Sequence, residues 1–307
     1  MLWCLQNPYV SYADPCGSSS GSAISTSANL VSVSLGTESD GSILCPASFN
    51  SVVGIKPTVC ITSMDQVIPV SPRQHTVGTV ADAVYVLDEI VDFYNGLNPP
   101  LGFKEHLKLD GLKGKRLHPF IDRLTPDNSA VVPAFEKHIK TLRHEGAIII
   151  DGLEIANIDV ILNPKESGER VARLAEFKMA INAYLKDLVV SPVRSLADIL
   201  VFDERNPDLE KINEYGEDLF LASQATDGIG EKEKEALANL ARLSKEGFEK
   251  LMNYNKLDAL VTSGSLVAPV LAIGGFPGFN VPAGYIMIEG FLLALILEGS
   301  NIHNQSS

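Results

Sequence analysis

Positive charge is scarce in this 307-residue sequence: 25 Lys and Arg against 38 Asp and Glu leave a formal net charge of −13. No basic patch is available to meet a phosphate backbone, so nucleic-acid binding is not expected. Cysteine is rare too. Cys4, Cys16, Cys45 and Cys60 all fall in the first 60 residues, with no C-x-x-C pair and no metal-ligand spacing. That excludes a recognisable metal centre and favours buried free thiols over disulfides. No basic leader with a long apolar core opens the chain, so a signal peptide is not expected. Residues 286–298 are mostly apolar, but a bilayer needs about 20 such residues, so they read as a core strand rather than an anchor. Membrane association is therefore not expected, and the cytoplasm is the default compartment. Oligomeric state is not legible. What is abundant is apolar side chain: 45% of residues, against 21% charged, describe a soluble globular chain that can bury a sizeable core.

Two Gly/Ser-rich turns stand out, Asp14-Pro-Cys-Gly-Ser-Ser-Ser-Gly-Ser22 and Gly36-Thr-Glu-Ser-Asp-Gly-Ser42, separated by the strand-like run Leu30-Val-Ser-Val-Ser-Leu35. Gly-Ser turns serve where the backbone must take φ > 0 or let a ligand approach. Backbone amides ahead of a helix can hold an anion or a developing oxyanion. A flexible Ser/Gly linker is the competing reading. The apolar run between the turns, and the packed-looking Val52-Val-Gly-Ile-Lys-Pro57 after them, argue against it.

These residues resemble the signature segment of the amidase signature family. The resemblance rests on Cys16-Gly-Ser-Ser-Ser-Gly-Ser-Ala23, Leu35-Gly-Thr-Glu-Ser-Asp-Gly-Ser42, Cys45-Pro-Ala-Ser-Phe49 and Val53-Gly-Ile-Lys-Pro-Thr58. Later pieces continue it: Ser71-Pro-Arg-Gln-His-Thr-Val-Gly78, Asp258-Ala-Leu-Val-Thr262 and residues 271–285. Stand-alone plant amidases are the nearest form. The resemblance implies an α/β fold, a mixed β-sheet sandwiched by helices, incomplete at both ends. It implies one domain over 1–307, with the signature segment at 14–58, a helical pocket region at 120–255 and a C-terminal strand region at 256–298.

The resemblance also implies hydrolysis of carboxamide C–N bonds by a Ser-Ser-Lys mechanism, without metal or organic cofactor, on a small-molecule amide. The nucleophile falls on Ser42 and the bridging serine, held by a cis peptide, on Ser18. Oxyanion amides fall on Ser39, Asp40 and Gly41 with Ser42 itself, and Gly17 and Ser19 belong to the substrate-binding turn. The lysine of the pattern sits upstream of the serine-rich turn, and no lysine precedes Lys56, which matches a structural position. The expectation is an impaired hydrolase, or an amidase-like remnant that binds a ligand or partner without turnover. A transamidation subunit ranks third.

The rest of the chain is read from spacing. A helix is expected over 23–30, a strand over 31–35 and a short helix over 44–50. Residues 79–91 carry helical spacing and 128–145 an amphipathic helix. Residues 146–150 read as a buried strand, 169–190 and 231–254 as long amphipathic helices, and 257–262 as a buried strand. The resemblance places two small deletions, after Gly78 and at His118-Pro119. His75 reads as a surface loop residue rather than a base, and the charge run 231–235 as a solvated face.

Overall fold

The computed structural model describes residues 6–80, 83–91, 102–121, 131–285 and 292–298. Eight strands form one mixed sheet: β1 (Ser34–Glu38), β2 (Gly54–Lys56), β3 (Thr76–Val80), β4 (Arg116–Phe120), β5 (Ile148–Ile149), β6 (Ala259–Ser263), β7 (Gly278–Tyr285) and β8 (Leu292–Glu298). Their spatial order is β1-β3-β2-β7-β8-β6-β4-β5. β4 runs parallel to β5 and β6, while the other pairs are antiparallel. This is the expected mixed α/β architecture.

Helix and strand choices follow local periodicity where the buried face is wide. Helix Glu169–Asp187 buries Ala172, Ala175, Ile181 and Leu185. Helix Glu231–Ser244 buries Leu240 and Leu243, then continues through a π turn over Lys245–Glu249 into Lys250–Asn255. Phe248, on that π turn, packs against Phe276 with ring centroids 4.8 Å apart. Ala172, Leu240, Leu243, Phe248 and Phe276 join Leu260 of β6 and the helix Ala268–Gly274 in the largest apolar cluster among the described residues, while Ile181 and Leu185 pack in a separate one with Leu196. The charged start of helix Glu231–Ser244 is a solvated face: Lys234 pairs with Glu231 at 2.7 Å, both exposed.

Several expectations are corrected. The first helix and strand lie about three residues from where spacing put them, at Ser20–Ser27 and Ser34–Glu38. Serine hydroxyls explain the shift. Ser22 Oγ donates to Leu35 O at 2.6 Å and Ser34 Oγ donates to Ser22 O at 2.8 Å, tying the helix to the strand by side-chain bonds. Residues 79–91 are not one helix. Thr79 and Val80 end β3, which pairs along its whole length with β1, and the helix is Ala83–Ile90. The β-branched pair suits a pleated surface between two strands better than a helix. Residues 146–150 hold only a two-residue strand at the sheet edge, with Ile148 45% exposed. β4 runs through His118 and Pro119 and β3 from Gly78 into Thr79, so both places where the resemblance puts a deletion lie within strands. The apolar run 286–298 contains β8, inserted between β7 and β6; residues 286–291 lie outside the described residues.

The thiol expectation also fails: Cys16 and Cys45 form a disulfide, with Cα atoms 5.9 Å apart. Each sits beside one of the two Gly/Ser turns, and Ser19 N–H donates to Ser42 O at 3.0 Å between those turns. Folding thus brings together two cysteines that sequence leaves 29 residues apart. Cys60 is exposed and lies outside the disulfide.

Candidate active site

Both turns open on one cavity of about 490 Å³. Ser18, Thr37, Ser39, Asp40 and Ser42 form one wall, with His75 beside them. The opposite wall comes from Arg173, Leu174 and Phe177 of helix Glu169–Asp187, and from Leu219, Phe220 and Ser223 of helix Asp218–Gln224. The rings of Phe177 and Phe220 stack at 5.4 Å with an interplanar angle of 22°, giving that wall a flat apolar surface.

The second turn is shaped by Glu38, the last residue of β1. Its fully buried carboxylate accepts from three amides: Gly41 N–H at 3.0 Å on Oε1, Ile43 N–H at 2.6 Å and Leu44 N–H at 2.8 Å on Oε2. Those donors are the otherwise unpaired amides that precede helix Leu44–Phe49, so the carboxylate does the work of a cap. Gly41 takes φ +77° to allow the fold-back, a conformation a Cβ disfavours. Burial pushes the Glu38 carboxyl up, while Lys56 and the three amides oppose that rise. Lys56 is itself fully buried in β2, its Nζ donating to Phe276 O at 2.6 Å.

The expected site residues separate into two groups. Ser18, Ser39, Asp40 and Ser42 reach the cavity. The Gly17–Ser18 peptide is cis. Among the described residues the Ser18 and Ser42 hydroxyls make no hydrogen bond, to each other or elsewhere. Gly17 and Ser19 do not line the cavity. Ser19 Oγ instead donates to Thr37 O at 3.1 Å and accepts from Thr37 N–H at 3.2 Å, fastening the serine turn to β1. The Gly41 amide is committed to Glu38, so it is not available to an oxyanion as expected. The amides of Asp40 and Ser42 donate to nothing among the described residues.

His75 is the residue that sequence reasoning missed. It is buried, 5% exposed, and its Nδ1 lies 2.6 Å from Ser39 Oγ. The turn that carries it is clamped onto helix Glu169–Asp187. Ser71 Oγ donates to Glu176 at 2.6 Å, Arg73 pairs with Glu176 at 3.2 Å, and Gln74 donates to Glu169 at 3.0 Å. Burial pushes the His75 imidazole below the usual histidine range, so it is neutral at neutral pH. Asp40 moves the other way. Burial first, then the carboxylates of Glu169 and Glu38, push its carboxyl up to about 7, against the pull of Arg173 and Lys56.

Ser18, which follows the cis peptide, thus lines the same cavity as Asp40 and Ser42 of the second turn. A family model described as Amidase matches residues 4–163. The chain belongs to the amidase family. This amidase-family chain is 55% identical over 294 residues to an Arabidopsis thaliana protein described as a probable amidase, covering 91% of the chain and 56% of that protein. It is 31% identical over 212 residues to the indoleacetamide hydrolase of Rhizobium radiobacter, covering 68% of the chain and 42% of the relative. Its fold matches native peptide amidase from Stenotrophomonas maltophilia with a TM-score of 0.87 at 33% identity, over 96% of this chain and 64% of that one. The chain thus spans about half the length of the curated relatives it matches. Among the described residues, no helix is long and apolar enough to cross a membrane and no cluster of His, Cys, Asp or Glu is arranged to hold a metal ion.

Proposed function

We propose that this chain carries the acyl-transfer site of an amide hydrolase for small-molecule carboxamides, with Ser42 as nucleophile and Ser18 as proton relay. The observation that carries the reading is the meeting of Ser18, Asp40 and Ser42 on one cavity behind the Glu38-held turn. Ser42 Oγ bonds to the carboxamide carbon and its proton passes to Ser18. The C–N bond then breaks, the leaving nitrogen takes a proton, and water releases the acyl group from Ser42. The amides of Asp40 and Ser42, with that of Ser39 beside them, take the developing oxyanion. The apolar wall of Leu174, Phe177 and Phe220 suits an apolar or aromatic acyl group.

The relay needs a base at its far end. Among the described residues lining the cavity there is no lysine; the basic side chains are Arg173 and His75, and His75 is engaged with Ser39 rather than with Ser18. A guanidinium stays protonated and accepts no proton. Turnover by this chain alone is therefore reduced by orders of magnitude, because losing one member of a catalytic unit costs about as much as losing the unit. The same observation favours a second reading, in which the cavity binds a carboxamide without hydrolysing it. A fluorophosphonate probe with mapping of the modified residue tests the first reading. Label on Ser42 that vanishes in Ser42→Ala supports the nucleophile. A folded protein that leaves Ser42 unmodified sinks it, and calorimetric titration with an aromatic carboxamide then tests binding.

A further inference from the structure

The β1–β3 pairing has a chemical result that does not involve Ser42. Glu38 stands opposite Thr76 in that register, so the next residue outward on each side brings Ser39 opposite His75. Their polar atoms are 2.6 Å apart, and both side chains are buried, 7% and 5% exposed, while contributing to the cavity wall. We propose that Ser39 and His75 form a second nucleophile in this cavity, a serine–imidazole pair that accepts acyl groups from activated esters.

The tautomer follows from counting hydrogen bonds. His75 Nε2 is buried with no partner among the described residues. With the ring proton on Nε2, Ser39 Oγ–H donates to a bare Nδ1 and one buried group is left unsatisfied. With the proton on Nδ1, the Nε2 lone pair and the Ser39 hydroxyl hydrogen are both left without partners. Each unsatisfied buried group costs about 1–3 kcal/mol, so the first arrangement is favoured. It is also the arrangement in which the imidazole can take the serine proton. Burial, which keeps the ring neutral, makes that acceptor available at neutral pH.

The missing partner on Nε2 defines the substrate class. Among the described residues no carboxylate meets Nε2 to steady the imidazolium that forms, so the pair is a weak base and needs a leaving group that departs with little help. An aryl ester meets that need, and an unactivated amide does not. Ser39 Oγ bonds to the ester carbonyl carbon while its proton moves to His75 Nδ1. The carbon–oxygen bond to the aryl group breaks, and the departing aryloxide takes the electron pair and then the proton from Nδ1. Water attacks the Ser39 ester, gives its proton to His75, and that proton returns to Ser39 Oγ, leaving the carboxylic acid and the phenol.

The test uses the full chain carrying Ser42→Ala, so that the proposed amidase nucleophile is silent. A fluorophosphonate and p-nitrophenyl acetate are the probes, with fragment-ion mapping of the modified residue. One phosphonyl group on Ser39, and a nitrophenol burst of about one equivalent, are expected. Adding Ser39→Ala abolishes both. Adding His75→Asn slows both by 100-fold or more, the lower bound for loss of a general base. A Ser42→Ala protein with a cooperative melt that leaves Ser39 unmodified overturns the proposal, as does an unchanged rate in a folded His75→Asn variant. If His75→Asn does not fold, mapping decides alone: label on any residue but Ser39 overturns it. Label on Ser42 in the unaltered chain reports on the amidase reading, so the two failures are distinguishable.

Discussion

Replacing Asp40 by asparagine is expected to remove a specific piece of the pH dependence of stability. The carboxyl rises from 3.8 in the unfolded chain to about 7 in the folded one, chiefly through burial and then through Glu169 and Glu38. Between those two values the folded state binds the proton that the unfolded state has released. Stability therefore falls as pH rises across that window, and is flat below about 3.8 and above about 7. At about 1.4 kcal/mol per pH unit the full rise is worth about 4 kcal/mol. Asp40 is only partly buried, and water reaching it through the cavity screens the effect, so a working figure is about 2 kcal/mol. Urea unfolding of the unaltered chain and of Asp40→Asn, from pH 4 to pH 8.5, measures it. Titrating groups remote from Asp40 cancel in the difference between the two proteins, leaving Asp40 and the carboxylates coupled to it, Glu169 and Glu38. The unaltered chain is expected to lose about 2 kcal/mol relative to the variant between pH 4 and pH 7.5, with no further change above. Two curves that run parallel across this range, or a difference that grows in the opposite direction, would refute the reasoning.

Two further predictions concern the scaffold of the site. Glu38→Ala leaves the amides of Gly41, Ile43 and Leu44 without their acceptor in the interior, at about 1–3 kcal/mol each, so a loss of about 3 kcal/mol or more in urea unfolding is expected. A loss under about 1 kcal/mol would mean that water or a rearranged turn replaces the carboxylate. Removing the Cys16–Cys45 link frees a segment of 29 residues in the unfolded chain, which in the chain-entropy account costs about 3–4 kcal/mol. Unfolding with and without dithiothreitol measures this, and equal urea midpoints would show that the link adds nothing.

What was legible beforehand was local. The helices Glu169–Asp187 and Glu231–Ser244 declare themselves in the spacing of their apolar side chains, because each buries one face along its own length, and the strand Ala259–Ser263 in a short apolar run, because it is buried on both faces. The serine turns were legible because Gly and Ser at those positions have few other uses. What spacing does not encode is partnership across the sheet. Val80 carries helical spacing with Val84 and Leu87, yet belongs to β3, because pairing with β1 and β2 outweighs the local period. The disulfide was hidden for the same reason: the contact between its two turns depends on a hydrogen bond from Ser19 to Ser42.

His75 shows how a site residue can be both missed and recoverable. In sequence it stands in a polar stretch, Ser-Pro-Arg-Gln-His, where a solvent-exposed loop is the ordinary reading. In the fold it is buried, because Glu176 and Glu169 hold that stretch down and β3 begins at the next residue. Its partner is set by register, and register is marked by glycine. Gly36 of β1 faces Gly78 of β3, and a Cβ on Gly78 would lie 2.1 Å from Ile55 O of β2, so only glycine permits the three strands to approach there. Sliding β1 by one residue would turn its other face to the core and carry Glu38 away from the amides it holds. With Gly36 opposite Gly78, counting three residues forward along β1 and three back along β3 gives Ser39 opposite His75. The glycines that let the strands pack thus also decide which hydroxyl meets the imidazole.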